Sequence, residues 1–396
     1  MIPEARAAFN AVVSPERHRL VLDRMHERIG GEIPFRIAES PLFLPSPLLH
    51  EMDRASREIM AVLQADRGYR RAADAIVPRE RLYPGEDEHP LFVCFDYALA
   101  REGGRVAPRL TEFQGFPSLT AFQYFLSHDF RDVYGLPETL TFIGDELSDQ
   151  AFQELFRAAV LGSHAPENVV LLDVSPWQQG TWPDFRLTER LLPGIAVRCP
   201  SDLWRSGRGL VYEKDGRAIP VKRVFNRVIW SDLERLQEDL DWSFHDELDF
   251  EWAGHPNWFF RYSKLALPWI SHPTVPRTQI LDREGRWPGD LERYVLKPLF
   301  SFSGRGVVLD VTRDVLDAIP SEERSDYILQ EKFEYADVIA GPGFSVRSEV
   351  RLMYVWLDRP RLVGLLPRMS RGRLMGCDAN RTDPWTGHGV AFWPRP

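Results

Sequence analysis

Residues 91–114 read LFVCFDYALAREGGRVAPRLTEFQ. Two runs of strand-forming residues, LFVCFDYAL and VAPRLTEFQ, flank the segment REGG. Gly103 and Gly104 suit a tight turn between antiparallel strands, because glycine accepts the backbone conformations that such turns require. The stretch therefore predicts a β-hairpin.

Polar side chains interrupt both predicted strands of this hairpin. Asp96 stands between Phe95 and Tyr97, and a carboxylate in such apolar surroundings requires a partner or a cation. Glu112 and Gln114 are two residues apart, so their side chains face the same side of a strand. Mg²⁺ takes hard oxygen ligands and is usually shared with substrate phosphates. The hairpin is therefore predicted to bind a metal through Asp96, Glu112 and Gln114; a solvated strand face is the alternative.

A second stretch, YVLKPLFSFSGRGVVLD at residues 294–310, places Lys297 at the end of an apolar run. A Ser/Gly segment follows and then the apolar run GVVLDV, which predicts strand, loop and strand. A lysine on a strand can bind phosphate oxygens while the amides of a glycine loop add further donors. The loop residues concerned are Ser303, Gly304, Arg305 and Gly306. The stretch is not a P-loop, which needs GxxxxGK[ST] opening a helix, and a hairpin with a surface lysine is the alternative.

Two further patterns extend this interpretation. The strand-like run YILQEKFEY at residues 327–335 delivers Gln330, Glu331 and Lys332 to its end, where a backbone edge suits adenine. An amphipathic strand is the alternative.

The runs EVRLMYVW and GLLPRMS carry Glu349, Arg351 and Arg368. The planar guanidinium of Arg368 matches the oxygens of a transferring phosphoryl group. Surface salt bridges made by these charged residues are the alternative.

The rest of the chain divides by its pattern. Residues 1–76 are predicted to be largely helical, with Ser14 before Pro15 as a helix cap. From about 121 to 235 helix and strand signals alternate, which favours a small parallel sheet of Rossmann-like type, although no GxGxxG follows its first strand. Asp215-Gly216 predicts a hairpin turn within RGLVYEKDGRAIPVKRVFNRVIW. Residues 236–396 carry short strand signals typical of an α+β unit with an antiparallel sheet.

Composition excludes several classes of protein. The 396 residues have 44% hydrophobic and 27% charged content and a net charge of −9, without a basic block. Nucleic acid is therefore disfavoured as a partner. Three cysteines form no disulfide framework or zinc motif. The N-terminus resembles no secretory signal and no apolar run approaches a membrane span, so a cytoplasmic protein without membrane partners is predicted. Oligomeric state is not readable from these features.

Taken in order, these segments resemble the ATP-grasp superfamily. More narrowly, they are similar to its circularly permuted branch, which includes the synthetase domain of glutathionylspermidine synthase. Ordinary ATP-grasp enzymes carry the metal-binding carboxylates after the nucleotide-binding lysines, whereas FVCFDYAL and PRLTEFQGFPSL come before them here. Asp96 and Glu112 match the acidic ligands, and Gln114 stands where the family usually has asparagine. The resemblance covers roughly residues 90–396.

The resemblance implies a fold, cofactors and an activity. The fold would be α/β (α+β): a helical segment at 1–90, a metal-site hairpin at 91–120, a Rossmann-like pre-ATP-grasp domain at 121–235 and a nucleotide-binding domain at 236–396. Lys264 in NWFFRYSKLALPWI would be the first nucleotide lysine and Lys297 the second. Lys297 and Arg368 would be catalytic.

With ATP and Mg²⁺, such a site would join a small-molecule carboxylate to an amine through an acyl phosphate. A kinase-like phosphotransferase and a non-catalytic nucleotide-binding or interaction protein are the alternatives. The sequence does not identify the carboxylate or the amine.

Overall fold

The computed structural model describes residues 1–236, 239–301, 304–373, 375 and 382–395. Its α-helices are α1 Pro3–Asn10, α2 Pro15–Ile29, α3 Ser46–Ala65, α4 Arg67–Ile76, α5 Thr120–Tyr134, α6 Asp149–Leu161, α7 Trp182–Leu191, α8 Trp230–Leu233, α9 Trp258–Arg261 and α10 Arg313–Asp317. Its strands are β1 Leu42–Phe43, β2 Phe92–Glu102, β3 Arg105–Gln114, β4 Leu140–Thr141, β5 Val169–Leu172, β6 Ala196–Arg198, β7 Leu203–Ser206, β8 Gly209–Lys214, β9 Arg217–Val221, β10 Arg223–Asn226, β11 Glu251–Ala253, β12 Thr278–Ile280, β13 Tyr294–Pro298, β14 Tyr327–Glu331, β15 Ile339–Gly341, β16 Phe344–Trp356, β17 Pro360–Ser370, β18 Gly387–His388 and β19 Ala391–Pro394.

The predicted hairpin is confirmed as β2 and β3, which pair antiparallel around Gly103 (φ 53°) and Gly104 (φ 80°). Strand β2 also pairs with β16, so the hairpin belongs to an antiparallel sheet with strand order β18-β17-β16-β2-β3, and β15 adds to β16. Phe95 and Tyr97 are fully buried and pack in the core beneath this sheet. The alternation of the sequence thus places Phe95 and Tyr97 on one face and the intervening Asp96 on the other.

The N-terminal helices form as predicted, and they are joined to the far end of the chain. The Ser14 side chain accepts a hydrogen bond from the Arg17 amide at the start of α2, so the predicted cap is confirmed. Leu42 of β1 pairs in parallel with Ala391 of β19. The first and last segments of the chain therefore share one small sheet, with β4 on its other edge.

The predicted parallel sheet consists of β11, β10, β5 and β6 in that order. The chain passes from β5 to β6 on one side and then returns to β10 on the other, so the strand order reverses between β5 and β10. Strand β11 lies beyond residue 235, so this sheet extends past the predicted end of its segment. A separate antiparallel sheet, β7-β8-β9, contains the predicted turn at Asp215 (φ 52°) and Gly216 (φ 73°).

A further antiparallel sheet, with strand order β12-β14-β13, carries Lys297. The prediction of a second strand at GVVLDV is wrong, because only Val308 forms a bridge, with Leu296. The ladder cannot continue towards Pro298, which has no amide hydrogen to donate. Gly306 (φ 73°) also lies so close that an added Cβ would be 2.7 Å from Cγ of Pro298.

The fold is thus a mixed α/β fold with antiparallel and parallel sheets. No helix in the described part of the chain is both long and apolar enough to cross a membrane.

Candidate functional site

A row of charged side chains crosses one face of the central sheet. Glu112 on β3 is directly opposite Asp96 on β2, and Asp96 is directly opposite Arg351 on β16. Glu349 lies two residues before Arg351 on the same strand and is opposite Arg368 on β17. Because residues two apart on a strand share a face, the five side chains meet on one surface.

Asp96 is the centre of this row and is only 1% exposed. Its Oδ1 accepts a hydrogen bond from Arg351 Nε at 2.7 Å, and its Oδ2 accepts one from Arg351 Nη2 at 2.6 Å. Arg368 Nη2 also donates to Oδ2. Burial alone would raise the pKa of Asp96, but the charges of Arg351 and Arg368 hold it well below its usual value. The carboxylate is therefore ionised and accepts three hydrogen bonds from the two arginines.

Lys297 reaches this face from the neighbouring sheet. Its Nζ donates to the carbonyl oxygen of Thr111 at 3.1 Å and to Gln330 Oε1 at 2.7 Å. Gln330 is itself buried and donates weakly to the carbonyl of Leu110 at 3.4 Å. Burial lowers the pKa of Lys297, while the negative charges of Glu112 and Glu349 raise it. Sheet β12-β14-β13 is thus fastened to β3 through Lys297 and Gln330.

Lys264 approaches the same carboxylates from the segment after α9. Its Nζ lies 3.4 Å from Glu112 Oε2 and donates to the carbonyl of Ser301 at 2.5 Å. Ser263 caps the short 3₁₀ turn Lys264–Trp269 and thereby fixes the start of this segment. The structure therefore brings together Lys264 and Lys297, the two lysines predicted to bind nucleotide, with Glu112 near both.

Glu349 and Tyr335 add a buried hydrogen-bonded pair to the cluster. The Tyr335 hydroxyl donates to Glu349 Oε1 at 2.5 Å, and Glu349 Oε2 lies 3.2 Å from Arg368 Nη2. Burial raises the pKa of Glu349, whereas the charge of Arg368 and the hydrogen bond from Tyr335 lower it. Glu349 therefore holds Arg368 from the side opposite to Asp96.

The residues predicted to bind adenine do not all face this cluster. Gln330 does, through Lys297. Glu331 instead pairs with Arg293 at 2.5 Å, and Lys332 Nζ donates to the carbonyl of Glu292 at 2.6 Å. The amide of Glu331 is bonded to Arg277 and that of Lys332 to Arg293, both at carbonyl oxygens. The backbone amides of both residues are thus already paired within the protein, and adenine contact by this segment stays a prediction.

The predicted glycine loop is described in part. Gly304, Arg305 and Gly306 form an exposed turn, in which both glycines have positive φ values of 71° and 73°. Ser303 lies outside the described residues. The turn follows the segment whose Ser301 carbonyl is held by Lys264, so the loop begins beside the cluster.

The predicted metal ligands differ in how fully the protein already engages them. Gln114 donates from Nε2 to the carbonyl of Phe116 at 3.2 Å. Its Oε1 atom is therefore the end of the amide that could bind a metal ion. The Glu112 side chain is 25% exposed. These two oxygen donors fit Mg²⁺ that is shared with phosphates. Asp96 does not fit, since guanidinium groups occupy it. Among the described residues, no three His, Cys, Asp or Glu side chains form a metal-binding group.

Sequence reasoning missed several members of the cluster. Glu349 and Arg351 were recognised only as charged groups on a strand, and Tyr335 was given no role. Their signal was present, because two charged residues at a spacing of two within an apolar strand share one face and need partners. The partner strand β2 lies about 250 residues earlier in the chain, which no local pattern reveals.

A second polar region lies at the carboxyl edge of the parallel sheet, where the strand order reverses. Asp173 follows β5 and is 4% exposed, with one hydrogen bond, from the Val174 amide at 2.8 Å. Arg227 follows β10 and is paired with the buried Asp184 at 2.6 Å. Ligands of open α/β sheets bind at such reversals of strand order.

Comparison with known proteins supports the fold. No family model and no curated protein sequence matches the chain. A solved structure, a glutathione synthetase-like effector (GSS30) from Globodera pallida in its apo form, aligns with a TM-score of 0.58 at 13% identity. The alignment covers 95% of this chain and 98% of that one. The chain therefore has a mixed α/β fold that resembles a glutathione synthetase-like structure.

Proposed function

We propose that this protein is an ATP-dependent carboxylate–amine ligase of the circularly permuted ATP-grasp type. One observation carries the proposal: Lys264, Lys297, Arg351 and Arg368 converge on one sheet face around Glu112. These four cationic groups come from four separate chain segments and outnumber the three carboxylates described beside them, and a nucleotide triphosphate requires such a set of cations.

The nucleotide would lie between the central sheet and sheet β12-β14-β13. Lys264 and Lys297 would bind its phosphates, and the turn at Gly304–Gly306 would add backbone donors. Arg368 would contact the transferred phosphoryl group, with Arg351 behind it. A Mg²⁺ ion bound with the nucleotide would neutralise phosphate charge, and Glu112 and Gln114 would hold it.

The reaction balances without a covalent protein intermediate. A carboxylate oxygen of the substrate attacks the γ-phosphorus, and the bond from that phosphorus to the β,γ-bridging oxygen breaks, so that ADP leaves. The nitrogen of an amine then attacks the acyl carbon of the acyl phosphate. Inorganic phosphate leaves, and the nitrogen loses a proton to give the amide. Buried cations stabilise the charge that develops on the phosphoryl oxygens in the first step.

The glutathione synthetase-like name of the structural neighbour is compatible with ligation. Its 13% identity supports the fold only, so the assignment of a reaction depends on the charged cluster.

The test measures ADP release over a panel of carboxylates and amines with Lys297→Ala and the parent. Lys222→Ala is a matched control, because Lys222 is exposed and lies between β9 and β10, which contribute no residue to the described cluster. We expect Lys297→Ala to lose most ADP release and the control to retain it. Full turnover of Lys297→Ala would remove the site assignment.

Mass analysis of the product distinguishes an amide from a stable phosphorylated compound, which would indicate a phosphotransferase. Failure to bind Mg-ATP in calorimetry would leave a non-catalytic protein.

A further inference from the structure

We infer that Asp96 is a positioning residue for Arg351 and Arg368 rather than a metal ligand, and that the site takes one divalent cation per nucleotide, on Glu112. This inference rests on the proposed nucleotide site. It replaces the role that the hairpin pattern suggests for Asp96.

Most of the hydrogen-bonding capacity of the Asp96 carboxylate is already used by the two arginines. Its two oxygens offer about four lone-pair directions. Arg351 takes one on each oxygen in a forked pair, and Arg368 takes another on Oδ2. A forked guanidinium–carboxylate pair is among the strong hydrogen-bonded pairs of proteins. The remaining direction, on Oδ1, belongs to a side chain that is 2% exposed and whose charge two guanidinium groups already neutralise, so Asp96 is a poor metal ligand.

Neither guanidinium group has an easy alternative position. Arg351 is opposite Asp96 in the sheet register, and its Nη1 also donates to the Ser118 hydroxyl at 2.9 Å. Burial would lower the pKa of Arg351, but the charge of Asp96 raises it above the usual value. Arg368 is held on its other side by Glu349 at 3.2 Å. Removing one partner from such a buried ion pair leaves an uncompensated charge, which is strongly unfavourable.

The charge of the cluster also bears on the number of divalent cations that it can hold. The described cluster contains the cations of Lys264, Lys297, Arg351 and Arg368, against three carboxylates on Asp96, Glu112 and Glu349. Among the described residues, the cluster therefore has one excess positive charge. A triphosphate carries about four negative charges, so the protein cations and a single divalent ion leave a sum of about −1. One ion is thus sufficient to neutralise most of the charge of the nucleotide.

Glu112 is the carboxylate that can accept a cation. Its contacts are long, at 3.4 Å to Lys264 and 3.9 Å to each of Arg351 and Arg368. Its side chain is 25% exposed, whereas that of Asp96 is 2% exposed. The amide oxygen of Gln114 lies on the same face of β3. Glu112 and Gln114 thus offer an incomplete ligand set that nucleotide phosphates would complete.

The experiment counts Mn²⁺ by electron paramagnetic resonance in the presence of the non-hydrolysable analogue AMP-PNP, using the full chain. The parent is expected to hold one Mn²⁺ per bound AMP-PNP. Glu112→Gln should lose that ion, whereas Asp96→Asn should keep it. Two ions in the parent, or the loss of an ion in Asp96→Asn, would overturn the inference.

A second readout separates positioning from general structure. Pyrophosphate affinity without metal should fall at least tenfold in Asp96→Asn, because Arg351 and Arg368 lose their common anchor. Arg368→Lys should reproduce this loss without changing the Mn²⁺ count, which keeps the test valid if Asp96→Asn folds poorly. Asp53→Asn is the control, since Asp53 anchors Arg57 outside the cluster. Unchanged pyrophosphate affinity in both variants would contradict the inference. Absence of AMP-PNP binding by the parent would instead refute the proposed function itself.

Discussion

Lys297 on β13 and Gln330 on β14 are joined at 2.7 Å from Nζ to Oε1, and both reach across to the backbone of β3. An ammonium group has three donors. With Thr111 and Gln330 as acceptors, the third donor of Lys297 points away from both. The pair thus sets the direction in which Lys297 would meet a phosphate of the proposed nucleotide.

Replacing Gln330 by leucine tests this orientation. The variant removes a hydrogen bond to a charged group, an interaction worth about 1.5–3 kcal/mol. We therefore expect AMP-PNP affinity to fall about tenfold, since about 1.4 kcal/mol corresponds to that factor. Isothermal calorimetry gives the measurement. Gln64→Leu is the control, because Gln64 is exposed and donates only to the carbonyl of Glu88. Tighter binding by Gln330→Leu would mean that Gln330 competes with phosphate instead of orienting the lysine.

The hydroxyl of Tyr335 supports Glu349 and can be removed without changing the ring. In Tyr335→Phe, Glu349 loses its donor at 2.5 Å while remaining buried. We expect the free energy of unfolding in urea to fall by about 1–3 kcal/mol, as for other buried acceptors left without a donor. Because the hydrogen bond lowers the pKa of Glu349, it stabilises the ionised form, and the difference should shrink as falling pH protonates Glu349.

A matched variant is available for Tyr335→Phe. The Tyr262 hydroxyl is buried and has no hydrogen-bond partner among the described residues. Tyr262→Phe should therefore leave stability unchanged or raise it slightly. Equal losses in both variants would show that any buried hydroxyl matters equally, and that the contact with Glu349 has no special role.

Gly115 connects the hairpin to the segment that carries Lys264. Its amide donates to the carbonyl of Tyr262 at 2.8 Å, and an added Cβ would lie 2.7 Å from the carbonyl oxygen of Trp258 and 2.8 Å from Cβ of Tyr262. Gly115→Ala should thus separate β3 from α9 and lower the free energy of unfolding by about 1–3 kcal/mol. It should also weaken AMP-PNP binding, because Lys264 follows α9.

The control for this variant is Gly289→Ala, because an added Cβ there meets no atom within 4 Å. Chemical denaturation and calorimetry on both variants give the comparison. Wild-type stability in Gly115→Ala would show that the two segments can separate without loss. Reduced stability with unchanged binding would show that the position of Lys264 does not depend on this contact.

The hairpin could be predicted because its signals are local: alternating residues, a Gly-Gly turn, and Asp96 among aromatic residues. The partner of that aspartate could not. Arg351 is placed opposite Asp96 by the pairing of β2 with β16, a contact between distant parts of the chain. From the sequence of β2 alone, Asp96 needs a cationic partner, and a metal ion is the natural prediction. In the folded protein the guanidinium groups of Arg351 and Arg368 are that partner.

The prediction at GVVLDV was wrong for a related reason. Its residues favour a strand, but a strand needs a partner edge with free amides, and Pro298 interrupts the edge of β13. In the parallel sheet the opposite occurs: β11 is a strand that its own sequence does not predict. It is short and begins with a charged residue, and only its pairing with β10 defines it. Local propensity identified the elements, whereas pairing decided which of them carry the site.

Asp173 offers a test of the carboxyl edge of the parallel sheet through pH. Burial raises the pKa of Asp173 to about 7. The positive charge of Arg227 and the hydrogen bond from the Val174 amide act in the opposite direction but are outweighed. A carboxyl group whose pKa is raised on folding stabilises the fold when protonated. That contribution is complete below the ordinary pKa of 3.8 and is lost as the pH rises towards 7. Between pH 4 and pH 8 the parent should therefore lose stability relative to Asp173→Asn, by on the order of 4 kcal/mol.

Urea unfolding of the parent and Asp173→Asn at several pH values isolates this contribution, since all other groups titrate in both proteins. Asp215→Asn is the control, because Asp215 is exposed in a hairpin turn at φ 52°, a conformation that asparagine also adopts. It should follow the parent at every pH. Parallel curves for the parent and Asp173→Asn would mean that Asp173 is ionised in the folded protein at neutral pH. An ionised, nearly buried Asp173 would then need a cation at the carboxyl edge of the sheet, and salt or added amines should stabilise the parent more than the variant.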